Sequence, residues 1–220
     1  MFYSNFWPEP FTSPPSLACV PVPVLVHASS FVEELLRPLV EEGNDYTNIC
    51  FSNKSFGLDA ARVAERILME VQSNLTDVDL LDFIAGRGED KALQVMAIFS
   101  SVLQGCVLRT LNLSDNALGE KGVRAFGFLL KSQKTLEELY FMNNGISVED
   151  ARAICELLPS VERLRVLHFH NNITGDEGAE NRSSSLSTVS ASSGANGVLP
   201  PLPPGTQKIL AYIEAFFVTC

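Results

Sequence analysis

An open α/β solenoid, built from strand–helix units of about 28 residues, is the fold class this sequence predicts. Three observations predict it. A segment of fixed pattern recurs along the middle of the chain, the stretches between its copies carry helical apolar stripes, and both ends differ in composition from the middle. The strongest copies are L-R-T-L-N-L-S-D-N-A-L-G from Leu108, L-E-E-L-Y-F-M-N-N-G-I-S from Leu136 and L-R-V-L-H-F-H-N-N-I-T-G from Leu164. Two weaker copies precede them, Y-T-N-I-C-F-S-N-K-S-F-G from Tyr46 and L-T-D-V-D-L-L-D-F-I-A-G from Leu75. The starts at 46, 75, 108, 136 and 164 are separated by 29, 33, 28 and 28 residues. Five copies in register with one common step are a repeat, not a coincidence.

Each strong copy fits L-x-x-L-x-L-x-x-N-x-L, the leucine-rich-repeat signature. Leu111 and Leu113 flank Asn112, so a short strand turns both leucines inward and Asn112 outward. Asn116, Asn144 and Asn172 fall where the chain leaves the strand. A buried asparagine there satisfies backbone groups with both its amide N–H and its carbonyl, so stacked copies predict a structural asparagine ladder. The two early copies carry Lys54 and Phe83 at that position, which places the start of the ladder at the third repeat.

Helices are predicted between the strands. Residues 58–73 place Ala61, Ala64, Ile67, Leu68 and Val71 on one stripe, and 90–106, 120–133 and 148–161 behave likewise. A step near 28 leaves room for a full helix on the convex side, the long, ribonuclease-inhibitor-like form of the repeat. Residues 31–42 read as an amphipathic N-terminal cap that Pro38 breaks or kinks. The chain then divides into a Pro-rich tail over 1–30, a leucine-rich-repeat domain over 31–180, and a Ser/Pro-rich tail over 181–220 ending in a short apolar segment. Seven serines in 181–197 predict a flexible stretch, and L-P-P-L-P-P-G after it an extended spacer. With no polar cap after the fifth copy, the array reads as truncated, which is expected to impair whatever activity it carries.

Charge and cysteine usage exclude several functions. With 16 basic against 26 acidic residues the net charge is −10, a balance that repels a phosphate backbone and argues against nucleic-acid binding. The five cysteines form no C-x-x-C pair, so neither a zinc site nor a disulfide framework is expected, and a reducing compartment suits them. Residues 1–30 hold no Lys or Arg and are interrupted by prolines, which makes a poor secretory signal. The apolar run 209–218 is too short to span a bilayer, so no membrane insertion is expected. No phosphate-binding glycine loop, H-E-x-x-H or G-x-S-x-G occurs, and neither a cofactor nor autonomous enzyme chemistry is expected. His168 and His170 lie two apart on the last strand, facing the concave surface, but lack a third metal ligand. Asp77 and Asp79 share the outward face of the second strand and read as a solvated acidic patch.

The run from 34 to 178 resembles the leucine-rich-repeat domain of the Ran GTPase-activating proteins, in particular the plant type. The segments that carry the resemblance are D-L-L-D-F-I-A-G-R, T-L-N-L-S-D-N-A-L-G-E-K-G-V-R-A-F-G, E-E-L-Y-F-M-N-N-G-I-S and L-R-V-L-H-F-H-N-N-I-T-G-D-E-G. The resemblance implies a cytoplasmic activator of GTP hydrolysis by GTP-bound Ran, in nucleocytoplasmic transport, with hydrolysis carried out by the partner. It further implies that Asn143 positions the GTPase's own glutamine and that Arg87, in the G-R segment, serves orientation and docking. Asp115, Asn171, His168 and His170 are then expected along the partner-binding rim, and Asn143→Ala is expected to leave stability almost unchanged. Trp7-Pro8-Glu9 does not match the W-P-P motif that attaches plant members to the nuclear envelope, so that module is not expected here. The alternative reading is a non-catalytic intracellular leucine-rich-repeat scaffold for protein interaction.

Overall fold

A computed structural model describes residues 29–169 and 171–172. Five three-residue strands, β1 Asn48–Cys50, β2 Asp77–Asp79, β3 Thr110–Asn112, β4 Glu138–Tyr140 and β5 Val166–His168, form one sheet in the order β1-β2-β3-β4-β5. Every adjacent pair is parallel, with Ile49, Val78, Leu111, Leu139 and Leu167 in one row across the sheet. The first four residues of that row are buried, because the L-x-L alternation turns them toward the helices. The flanking residues of each strand point the other way. Asp77, Asp79, Asn112, Glu138, Tyr140, Val166 and His168 are accordingly half-buried.

Helices return the chain from each strand to the next, as parallel pairing requires. They are α2 Leu58–Val71, α3 Glu89–Leu103, α4 Gly119–Ala125, α5 Gly127–Ser132 and α6 Val148–Leu157. Ahead of the first strand, α1 Ser29–Leu36 passes into a 3-10 turn, Arg37–Val40, at Pro38. The proline ring lacks the N–H that a continuing α-helix needs there. Val32, Leu36 and Leu39 are fully buried at this end of the core. The last helix begins with a reciprocal cap: Asp150 donates its N–H to Ser147 Oγ, and Ser147 donates its N–H to Asp150 Oδ2, both at 3.1 Å.

Two features depart from the sequence expectation. The helix predicted over 120–133 is two helices, broken at Phe126. Phe126 is fully buried, with its ring 6.3 Å from that of Phe83, and the Leu129 N–H donates to the buried Ser100 Oγ of α3 at 3.2 Å. A hydroxyl from the neighbouring repeat thus takes an amide that a continuous helix would have bonded internally. The helices predicted to run to 73, 106 and 161 also stop early, at Val71, Leu103 and Leu157.

An aromatic cluster fills the centre of the core. Phe99 sits edge-on to Phe51, Phe56 and Phe83 at ring distances of 5.7, 5.1 and 5.2 Å, and Phe51 to Phe56 at 5.0 Å. Gln133 is buried below it, accepting from the Leu108 N–H at 3.0 Å and donating to the Cys106 carbonyl at 3.2 Å. This amide fixes the approach of the chain to β3.

Candidate functional site

The turns that leave the strands build one edge of the molecule. At the seventh residue after each repeat start stand Asn53, Asp82, Asp115, Asn143 and Asn171. All five have positive φ, at 58, 49, 60, 53 and 59°. Left-handed backbone costs an ordinary L-residue about 1–2 kcal/mol, and asparagine and aspartate tolerate it best after glycine. The edge is thus written in amides and carboxylates because the turn requires that backbone. Cross-repeat bonds hold the first four in file: Asn53 donates its N–H to the Leu81 carbonyl at 2.9 Å, Asp82 to Ser114 at 3.1 Å and Asp115 to Met142 at 2.9 Å.

Directly behind this edge lie Asn116, Asn144 and Asn172, all buried. Asn116 Oδ1 accepts from the Phe83 N–H at 3.1 Å, Asn144 Oδ1 from the Asn116 N–H at 2.9 Å and Asn172 Oδ1 from the Asn144 N–H at 2.8 Å. Their amide groups donate back to strand-end carbonyls, Asn116 to Leu80 at 2.8 Å, Asn144 to Leu113 at 2.9 Å and Asn172 to Phe141 at 2.7 Å. In the first two repeats the equivalent positions hold buried Lys54, whose Nζ donates to the Ser52 carbonyl at 3.4 Å, and Phe83, which joins the aromatic cluster.

Asn143 is exposed, and its Nδ2 donates to Asp115 Oδ1 at 2.6 Å. That short contact to a carboxylate is a charge-assisted bond, roughly twice as strong as a neutral one. Asp115 in turn lines a cavity of about 660 Å³ together with Asp82, Arg87, Glu89 and Lys121. Ile84, Leu93, Met96 and Leu118 form its apolar part, and a Lys121–Glu89 ion pair lies at its margin. Burial, reinforced by the neighbouring Asp115 charge, raises the Asp82 carboxyl above its ordinary value.

Arg87 follows Gly86, whose φ of 71° turns the chain back toward the body. A solvated loop arginine is one reading of the sequence, but the side chain is half-buried and its Nη2 donates to the Ser55 carbonyl at 2.5 Å. The guanidinium is thus anchored on the turn of the first repeat while it lines the cavity. The structure brings Arg87, Asp115 and Asn143 to one stretch of edge. Asn171 continues the same edge, and His170 lies outside the described residues.

The sheet face turned away from the helices carries His168, Tyr140 and Asp79. His168 is half-buried: its ring packs edge-on against Tyr140 at 5.0 Å, and the Tyr140 hydroxyl donates to Glu138 Oε2 at 2.8 Å. Burial first, then that bond and charge, raises the Tyr140 pKa. Asp79 is not a freely solvated carboxylate. Its Oδ1 accepts the Leu81 N–H at 2.9 Å, and burial raises its pKa against the lowering effect of that bond and of Cys50 and Asn112. Sequence reasoning missed the structural task of Asp79, although the signal was present: Asn112 at the equivalent position caps the Ser114 N–H in the same way, at 3.0 Å. It also missed the direct contact between Asp115 and Asn143, for which the 28-residue offset was the available signal.

Among the described residues, no three His, Cys, Asp or Glu side chains are grouped to hold a metal ion, and no helix is long and apolar enough to cross a membrane. Parallel strands in sequence order, the first four each followed by a turn and a helix, define a chain that carries leucine-rich repeats, and the family described as Leucine Rich repeat matches residues 106–127 and 132–155. More particularly, the chain is 70% identical over 108 residues to RAN GTPase-activating protein 2 of Arabidopsis thaliana, covering 49% of this chain and 20% of that protein. It is 60% identical over 118 residues to RAN GTPase-activating protein 1 of the same plant, covering 51% and 22%. Ran GTPase-activating protein 1 of Xenopus laevis is 31% identical over 120 residues, covering 53% and 20%. The chain spans about a fifth of the length of these curated relatives.

Proposed function

We propose that this chain activates GTP hydrolysis by the small GTPase Ran, binding its GTP-loaded form and leaving the chemistry to the partner. The similarity to three curated Ran GTPase-activating proteins supports the partner. The single structural observation that supports the mechanism is Asn143: an exposed amide in the turn after β4, donating to Asp115 Oδ1 at 2.6 Å. Such GTPases hydrolyse GTP slowly because the glutamine that orients the attacking water is poorly held. One N–H of Asn143 engages Asp115, which leaves the second N–H and the carbonyl oxygen to hold the side-chain amide of that glutamine. Donating to a carboxylate also polarises the asparagine amide and makes its oxygen a better acceptor. Arg87 docks and orients the partner from the cavity, and Asp115, Asn171, His168 and His170 extend the contact. Asn116, Asn144 and Asn172 serve the scaffold. The reading places the protein in the cytoplasm, in nucleocytoplasmic transport, with no cofactor or nucleic acid.

The test is single-turnover phosphate release from GTP-loaded Ran with this chain in excess. Alanine at 143 strains a φ of 53°, so the expectation of unchanged stability does not suit Asn143→Ala. Asn143→Gly removes the amide and keeps the backbone relaxed. It is expected to lower the stimulated rate by about 100-fold, the scale of one preorganised transition-state hydrogen bond, at unchanged thermal stability. A folded wild-type chain that produces no acceleration would favour the interaction scaffold instead. Full activity in Asn143→Gly would overturn the site.

A further inference from the structure

We propose that Asp115 is a positioning residue for Asn143, fixing the amide before the partner arrives; the inference rests on the activator reading above. The two side chains come from adjacent repeats, 28 residues apart, and meet because a backbone hydrogen bond ties their turns together. The Asp115 N–H is held by the Met142 carbonyl, the residue immediately before Asn143, and both turns share the left-handed conformation. An Asn143 Nδ2 to Asp115 Oδ1 distance of 2.6 Å then selects one orientation of an otherwise freely rotating exposed amide. The carboxylate accepts only, so it also decides which end of the amide is nitrogen: the N–H₂ must face Asp115, and the carbonyl oxygen faces away. An asparagine alone presents both faces to an incoming glutamine, and only one of them places the glutamine's own amide correctly toward water.

Asp115 also lines the cavity shared with Arg87. Its unused carboxylate oxygen belongs to the surface that a docked partner covers, so desolvation on docking strengthens the bond to Asn143. The equivalent pair one repeat earlier, Asp82 and Asp115, presents two carboxylates and cannot make such a bond while both are ionised. The contact therefore forms between Asp115 and Asn143 and not between Asp82 and Asp115.

Three variants test the proposal. Asp115→Gly deletes the acceptor without straining a φ of 60°. Asp115→Asn keeps a neutral acceptor and the same turn preference. Asn143→Gly supplies the background for a double-mutant cycle. Single-turnover phosphate release from GTP-loaded Ran is measured against concentration of the chain, which separates the maximal rate from the half-saturating concentration. Asp115→Gly is expected to lower the maximal rate by about 10–100-fold, the cost of a misplaced reacting group, and to raise the half-saturating concentration by a smaller factor, since Asp115 also lies on the surface that the partner covers. Asp115→Asn is expected to recover most of that rate, within about fivefold of wild type. In the Asn143→Gly background, Asp115→Gly is expected to cost less than about twofold more, because its effect runs through Asn143. In the uncomplexed protein, the Asn143 side-chain amide protons should exchange with solvent faster in Asp115→Gly than in wild type. A loss confined to half-saturation, or a loss of maximal rate that persists in the Asn143→Gly background, would overturn positioning and leave Asp115 a docking contact alone. Unchanged amide exchange would overturn it as well. Absence of any acceleration by the folded wild-type chain would instead overturn the activator reading, and with it the role assigned to Asp115.

Discussion

Removing the amide of Asn116 should destabilise the protein about twice as much as removing that of Asn144, although the two residues occupy the same position in successive repeats. The difference lies in what each deletion leaves behind. Asn144→Ala strips the acceptor from the Asn116 N–H, but the Leu113 carbonyl that Asn144 also served still accepts from Asn116 Nδ2 at 3.0 Å. One buried backbone group is orphaned. Asn116→Ala strips the Phe83 N–H of its acceptor and the Leu80 carbonyl of its 2.8 Å donor. Of its other two carbonyl partners, Leu113 keeps Asn144 Nδ2 and Ser114 keeps the Asp82 N–H at 3.1 Å. Two buried groups are orphaned. At about 1–3 kcal/mol for each buried unsatisfied polar group, Asn144→Ala should cost about 2 kcal/mol and Asn116→Ala about 4 kcal/mol. Both deletions remove the same atoms from sites at most 4% exposed, so the packing loss cancels in the comparison. Urea denaturation of the two variants, with the slope checked against wild type, reads the difference directly. Equal losses, or a larger loss for Asn144→Ala, would refute the assignment of orphaned groups.

The remaining predictions concern the core and the inner face of the sheet. Phe99→Ala should cost about 3–5 kcal/mol in the same urea assay, because Phe99 is 1% exposed and in ring contact with three other phenylalanines; a loss below about 1 kcal/mol would mean that the cluster closes over the gap. Asp79→Asn keeps an acceptor for the Leu81 N–H and removes a carboxylate whose folded-state pKa is raised by burial. A raised carboxyl holds its proton more tightly when folded, so its contribution to stability falls as pH rises from the ordinary value of 3.8 through the raised one. Thermal melts should therefore show Asp79→Asn more stable than wild type at pH 7 (~7), with the advantage disappearing at acid pH; a gain independent of pH would sink the argument.

What was legible in the sequence was whatever a single repeat determines by itself. The alternating leucines of 108–113 specify a strand and its inward face without reference to any neighbour, and β3 to β5 lie within their copies of that pattern. Pro38 likewise announces its own interruption of α1. What stayed hidden depends on a partner one repeat away. Phe126 breaks its helix where Ser100, on α3, offers an acceptor to Leu129, and nothing between 120 and 133 signals that offer. Arg87 looks like a loop residue until Ser55, 32 positions earlier, supplies a carbonyl. Asp79 looks like surface charge until the half-buried strand around it removes water. At the candidate site the residue types were readable, since the family resemblance pointed to Asn143 and Arg87, but the carboxylate that Asn143 bonds became visible only when adjacent repeats were stacked.

The five positive-φ residues along the edge have a consequence for how such a surface acquires new behaviour. The backbone admits essentially three residue types there without strain, and two of them, asparagine and aspartate, are nearly identical in shape yet differ by a full charge. Exchanging one for the other alters the electrostatic message of the edge while the turn, the strand and the ladder behind it stay in place. The order Asn53, Asp82, Asp115, Asn143, Asn171 is thus a short binary word, neutral or negative at each step, printed on a frame indifferent to its spelling. An exposed amide at position 143 did not have to be forced into this fold, because the turn already required that shape.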